Sequence, residues 1–219
     1  MVKIGVVLSG CGVFDGAEIH ESVITLLALA RKGVEVVCLA PDMDFDVVDH
    51  RTQQPTGEKR NVLTESARIA RGDVLDLKKL DPSTLDAVIF PGGFGAAKNL
   101  STFAMKGADA VVQPDVARLV KAMHAQKKPI GAVCIAPATM AAIFKGSEVA
   151  LNVTIGNDPG TSQGIEACGA QHTVCPVEDI VVDDRNRMVT TPAYMLGPGI
   201  RDVAIGIEKL VDKIVAMAR

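Results

Sequence analysis

The feature that most constrains this chain is a repeated order: a short apolar run, a glycine-rich loop, then a segment with helical spacing. KIGVVL at 3–8 closes in SGCG, and over 18–32 Val23, Leu26, Leu27 and Ala30 are spaced for one helical face. Gly33 stops that helix, and VEVVCLA follows as a second buried strand ending at Pro41. DAVIF at 86–90 runs into PGGFGAAKN, a helix over 114–126 leads to PIGAV at 129–133, and APATMAAIF follows Cys134 as a short helix. The last third predicts a strand at 150–155, a helix near 161–168, two strands (DIVVD, RMVTT) around a DDRN turn, and a long helix from about Gly199. DMDFDVVDHRTQQPTGEKR has no single period; it predicts an excursion, a small hairpin, before a helix at 61–71. Such alternation implies an α/β protein with a mostly parallel sheet covered by helices on both faces, one domain over 1–219, and function at the carboxyl ends of the strands.

Composition narrows the function. The net charge is -3, and basic and acidic residues alternate, so nucleic acid is not an expected partner. No stretch approaches the roughly 20 apolar residues of a membrane span, and MVKIGVVLSG reads as a first strand rather than a signal peptide. With no Trp and the single Tyr194, stacking on bases or sugar rings has little to work with, which favours a small substrate. Five cysteines, Cys11, Cys38, Cys134, Cys168 and Cys175, form no CxxC pair and leave one over. That argues against a disulfide framework or a structural metal and implies a reducing cytoplasm.

Four loops lie where ligands bind in open α/β sheets: SGCGVFDGAEIHE, PGGFGAAKN, VCIAPA and TTPAYMLGPG. Cys134 stands between a buried strand and a helix start, as in a nucleophile elbow, where the helix dipole is expected to lower the thiol pKa. PGGFG leaves backbone N–H groups free for an oxyanion, or serves only as a close-packing turn. Glu18, His20 and Glu21 open a helix; their carboxylates either cap it or exchange protons with Cys134 and the substrate. Cys11 and Tyr194 are candidates to line the same pocket, whereas His50, His124 and His172 read as surface or core residues.

Taken together, LSGCGVFDGAEIHE, PGGFGAAKNLS, CIAPA, EDIVVD and VTTPAYM resemble the ElbB family, the enhancing-lycopene-biosynthesis or sigma cross-reacting proteins, across essentially the whole chain. The resemblance implies the class I glutamine amidotransferase-like (PfpI-type) superfamily, a flavodoxin-like three-layer sandwich and a homodimer. It also implies a cofactor-free glyoxalase, a lyase that acts on glyoxal or methylglyoxal without glutathione or metal, and an association with isoprenoid biosynthesis. By position it carries the elbow nucleophile onto Cys134, the partner acid onto Glu21 and the PGG turn onto Gly92 and Gly93, with the amides of Gly93 and Ile135 holding the oxyanion. Ile135 stands where protease-like relatives have His, so peptide hydrolysis is not expected. Two other functions stand beside it: a redox sensor oxidised at Cys134 and stabilised by Glu21, which uses the same two residues, and a chaperone-like interaction protein that keeps the elbow as an inherited feature and binds through residues 42–60.

Overall fold

The computed structural model describes residues 1–219. Eleven strands and eight α-helices alternate along the chain. The order opens with β1 (Lys3–Val7), α1 (Ile19–Arg31) and β2 (Glu35–Ala40), then the hairpin β3 (Asp44–Val48) and β4 (Pro55–Asn61), then α2 (Val62–Ile69) and β5 (Leu75–Asp76). Next come β6 (Ala87–Phe90), α3 (Phe94–Lys98), α4 (Phe103–Lys106), α5 (Pro114–Ala125), β7 (Ile130–Val133) and α6 (Ala136–Phe144). The chain finishes with β8 (Asn152–Val153), α7 (Pro159–Ala167), β9 (Gln171–His172), β10 (Val181–Asp183), β11 (Met188–Thr191) and α8 (Ile200–Ala218).

Seven strands form one sheet in the order β10-β11-β7-β6-β1-β2-β5, parallel except for the β10–β11 pair. The period of two along each strand sends alternate side chains to two cores. Ile4, Val6, Ala87, Ile89 and Val133 meet Leu29 of α1 and Val203, Ile207, Leu210 and Ile214 of α8 on one face. Val7, Val88, Phe90, Ile130 and Ala132 meet Val116, Leu119 and Met123 of α5 and Met140 of α6 on the other. Both faces are covered, as the alternation implied, which makes this the flavodoxin-like α/β sandwich that the resemblance implied. No helix is long and apolar enough to cross a membrane.

Two local expectations change, and one strand is added. The face of α1 that carries Val23, Leu27 and Ala30 is exposed, and Glu21, Ser22, Thr25, Ala28 and Leu29 are buried instead. The reason is that Glu21 and Ser22 have partners inside the fold, so the helix is rotated to bring polar side chains inward. The strand expected at 150–155 shortens to β8, which pairs with β9 in a small separate sheet. β5, only two residues long, closes the sheet edge against β2 and carries no period that sequence could reveal.

Candidate active site

β7 delivers the chain to Cys134 at the carboxyl edge of the sheet, and α6 begins two residues later. Cys134 has φ +60°, a left-handed conformation that costs a non-glycine residue on the order of 1–3 kcal/mol. The elbow is pinned because its N–H donates to the Thr191 carbonyl at the end of β11, 2.9 Å away. The strain turns the thiol out of the strand direction toward the neighbouring loops, yet leaves it only 7% exposed.

One of those loops follows β6. Gly93 has φ +89°, and a Cβ there would stand 2.4 Å from both the Glu18 nitrogen and the Gly16 oxygen, so only glycine fits. Gly92 is squeezed from the other side: a Cβ would lie 2.3 Å from the Cys134 Cβ and 2.5 Å from Glu21 Oε2. The two glycines thus let the loop press against both the elbow and the start of α1. The backbone N–H groups of Gly93 and Ile135 lie beside the Cys134 sulfur and favour its ionised form. That of Gly92 is committed elsewhere, donating to Glu21 Oε2 at 2.9 Å.

Glu21, in the first turn of α1, is fully buried and stands beside Cys134, near enough that each group shifts the other's pKa. Its second oxygen accepts from the Tyr194 N–H at 3.2 Å. Burial, and then the nearby charge of Glu18, push the Glu21 carboxyl from the ordinary 4.5 up to about 8. The thiol does not behave as the helix dipole alone predicts. Burial first, and the charge of Glu21 second, raise the Cys134 pKa well above its ordinary value, against the lowering pull of the two amides. A dipole confined to one turn is outweighed by the loss of water around sulfur. The Coulombic part of that rise acts only when Glu21 is ionised; below about 8 the acid holds its proton and can donate to sulfur.

The remaining expected residues separate. Glu18 is the N-cap of α1, its Oε2 accepting from the Glu21 N–H at 2.7 Å. His20 stands at the rim, its Nδ1 2.7 Å from the Tyr194 hydroxyl. Tyr194 lines a cavity of about 370 Å³ that opens over Cys134 and is completed by Val13, Gly93, Phe94, Ile135, Asp158, Thr161 and Met195. Cys11 does not line it: the SGCG loop turns Cys11 toward Asp15, His50 and Glu65 beside the β3–β4 hairpin. His50 closes that loop, accepting from the Phe14 N–H through Nε2 at 3.3 Å while Nδ1 faces the Val48 carbonyl. His124 meets Asn186, and His172 accepts from the Ile155 N–H. Phe94, Asp158 and Thr161 escaped the sequence reasoning. Asp158-Pro159 does mark a helix start, and Asp158 Oδ2 caps the Thr161 N–H at 2.7 Å, but nothing local says that this helix end faces Cys134.

A family model described as the DJ-1/PfpI family matches residues 11–194, from the loop after β1 to Tyr194. The chain belongs to the DJ-1/PfpI family. It is 47% identical to the human glutamine amidotransferase-like class 1 domain-containing protein 3, mitochondrial, over 98% of this chain and 83% of the relative. A crystal structure of an isoprenoid biosynthesis protein with an amidotransferase-like domain from Ehrlichia chaffeensis shares 38% identity, covers all of both chains and superposes with a TM-score of 0.93. A glyoxalase III from Candida albicans, at 18% identity, shares the fold with a TM-score of 0.64 over 99% of this chain and 97% of that one. The cytoplasmic location expected from the cysteines is overturned, since the human, rat and zebrafish relatives are all named mitochondrial. All five thiols are free, but free thiols report a reducing environment, which more than one compartment offers.

Proposed function

We propose that the protein is a glutathione-independent glyoxalase that converts glyoxal or methylglyoxal to glycolate or lactate, as an ElbB-type member of the DJ-1/PfpI family. The observation that carries the proposal is the contact between Cys134 and a fully buried Glu21 whose pKa is raised to about 8. A carboxylate of that pKa is a far stronger base than an ordinary one and is matched to proton transfer near neutrality. The DJ-1/PfpI fold shared with a protein named glyoxalase III supports the same reaction class. The Ehrlichia relative's name supports an association with isoprenoid biosynthesis.

Ionised Glu21 takes the thiol proton as sulfur attacks the aldehyde carbon, giving a hemithioacetal whose oxygen lies within reach of the Gly93 and Ile135 amides. That oxygen gains a proton from Glu21. The regenerated carboxylate removes the hydrogen from the former aldehyde carbon, forming an enediol, and returns it to the neighbouring carbon. The hydroxyl proton on the first carbon moves to the second oxygen, leaving a thioester of the hydroxy acid. Water hydrolyses the thioester, releasing the acid and restoring the thiol. Methylglyoxal plus water thereby becomes lactate with no net oxidation.

The redox-sensor reading draws less support, because a thiol 7% exposed with a raised pKa offers little thiolate to peroxide. The test is lactate formation from methylglyoxal without glutathione or added metal, for wild type, Cys134→Ala and Glu21→Gln. Turnover in wild type that disappears in both variants is the expected result. A folded, reduced wild type that makes no lactate, or a Cys134→Ala variant that still does, overturns it.

A further inference from the structure

The cavity over Cys134 does not end at the residues needed for a three-carbon substrate. A second compartment of about 320 Å³ is lined by Phe103, Ala104, Met105, Gly107, Gly160 and Gly164, and it shares Phe94, Ile135 and Thr161 with the first. Those three residues border both spaces, and Ile135 directly follows Cys134 in the chain. Exposed apolar side chains lie along the path: Phe94, on the shared border, is 44% exposed and Met105, in the second compartment, 59%, and both would lose water if something lay along them. No Lys, Arg or His lines either compartment, and the one ionisable side chain that does besides Cys134 and Tyr194 is Asp158, an acid. Lys98 lines neither compartment: its ammonium lies 4.9 Å from the centre of the Phe94 ring and donates to the Phe14 carbonyl. An anionic substrate would find no counter-charge here, and a carboxylate product would be repelled toward solvent.

Resting on the glyoxalase reading, we propose that the preferred substrate is a 2-oxoaldehyde with an uncharged apolar tail, its reacting carbons over Cys134 and its tail passing the shared Phe94–Ile135–Thr161 border into the Phe103–Met105–Gly160 compartment. Methylglyoxal then fills only the first space. Tail specificity comes from the mouths of α4 and α7, elements that hold no part of the Cys134–Glu21 pair.

The experiment compares kcat/KM for methylglyoxal, butylglyoxal and hexylglyoxal in wild type, Gly160→Leu and Met105→Ser. Gly160 suits the purpose, because a Cβ added there meets only Asp158 Oδ2, at an ordinary 3.6 Å, so the new side chain grows into the compartment rather than into the fold. Half-burial of each methylene predicts a gain of about twofold per carbon in wild type. The ratio of hexylglyoxal to methylglyoxal efficiency should fall at least about fivefold in Gly160→Leu and less in Met105→Ser. Efficiency that is flat or falls with chain length in wild type overturns the proposal while leaving the glyoxalase reading intact, as does an unchanged ratio in Gly160→Leu.

A binding arm separates the two claims if no oxoaldehyde is turned over. Cys134→Ala is titrated with methyl butyl ketone and methyl hexyl ketone, and the fluorescence of Tyr194 reports occupancy without interference, since the chain has no other Tyr and no Trp. Affinity that rises with chain length in Cys134→Ala, and is reduced when Gly160→Leu is added, upholds the apolar compartment and rejects the chemistry. Absence of any length dependence in both arms rejects the compartment.

Discussion

Replacing Glu21 by Gln should reverse the order of stability of the two proteins as pH rises. The wild-type carboxyl sits at 4.5 when exposed and at about 8 in the fold, so between those values the native state keeps a proton that the unfolded chain has lost. A raised pKa stabilises the fold fully below the unfolded value, and the contribution is lost as pH climbs toward the folded one. At about 1.36 kcal/mol per pH unit, the span from 4.5 to about 8 amounts to roughly 4–5 kcal/mol, an upper figure for a pair coupled to Cys134. Gln cannot ionise and loses none of this. It has one acceptor oxygen where Glu21 accepts from two backbone N–H groups, those of Gly92 and Tyr194, so one is left facing an amide nitrogen at a cost of about 1–3 kcal/mol. Wild type should therefore be the more stable protein near pH 5, and Glu21→Gln the more stable by a few kcal/mol above about 8. Urea denaturation of both proteins at matched pH measures the difference directly, and groups common to both, such as His172, cancel. A difference that does not move with pH would mean that Glu21 is not held neutral in the fold, and the reasoning from its burial would fail.

Other consequences follow from the same geometry. Catalytic efficiency on methylglyoxal should rise about tenfold per pH unit below an inflection near 8 and level off above it, because ionised Glu21 is the base; a profile flat from pH 6 to 9 contradicts that role. Tyr194→Phe should leave the inflection in place, since Glu21 is anchored by the backbone N–H of Tyr194 and not by its hydroxyl, and a rate–pH profile checks it. Gly92→Ala should cost about 1–3 kcal/mol in urea denaturation and more than tenfold in activity, since the new methyl group would meet both Cys134 and Glu21. Cys134→Gly should be inactive yet melt above Cys134→Ala by the equivalent of about 1 kcal/mol, because glycine accepts φ +60° without strain.

Much of the architecture is legible in particular strings. KIGVV, AVIF and IGAV are buried runs of strand length, and they become three adjacent strands of the sheet. The spacing of Pro114 to Gln126 locates α5 to within a residue, and the periodless stretch after Ala40 does contain a hairpin. The same spacing logic errs on α1. Val23, Leu27 and Ala30 look like a core stripe because period says which residues share a face, not which way the face points. At the candidate site, Cys134 and the PGG turn are legible because their conformations are demanding, an elbow and a glycine pair with no room for a Cβ, whereas Glu21 is singled out from Glu18 by the resemblance. The thiol pKa was misjudged for a related reason, since the helix start is written in sequence whereas the burial that overrides it is not.

Sequence by itself determined the alternation of strand and helix, hence a parallel sheet covered on both faces, and it marked the loops at one edge where chemistry has to sit. Those properties depend on period, turn residues and local conformational cost, all of which act over a few neighbours. The packing of the whole fold is what turns Cys11 to another pocket and brings Phe94, Asp158 and Thr161 to Tyr194 above Cys134. Each of those outcomes depends on the rotation of a packed helix or the approach of segments tens of residues apart. Such contacts are set by the summed burial of two cores and by the few hydrogen bonds that buried polar groups must find.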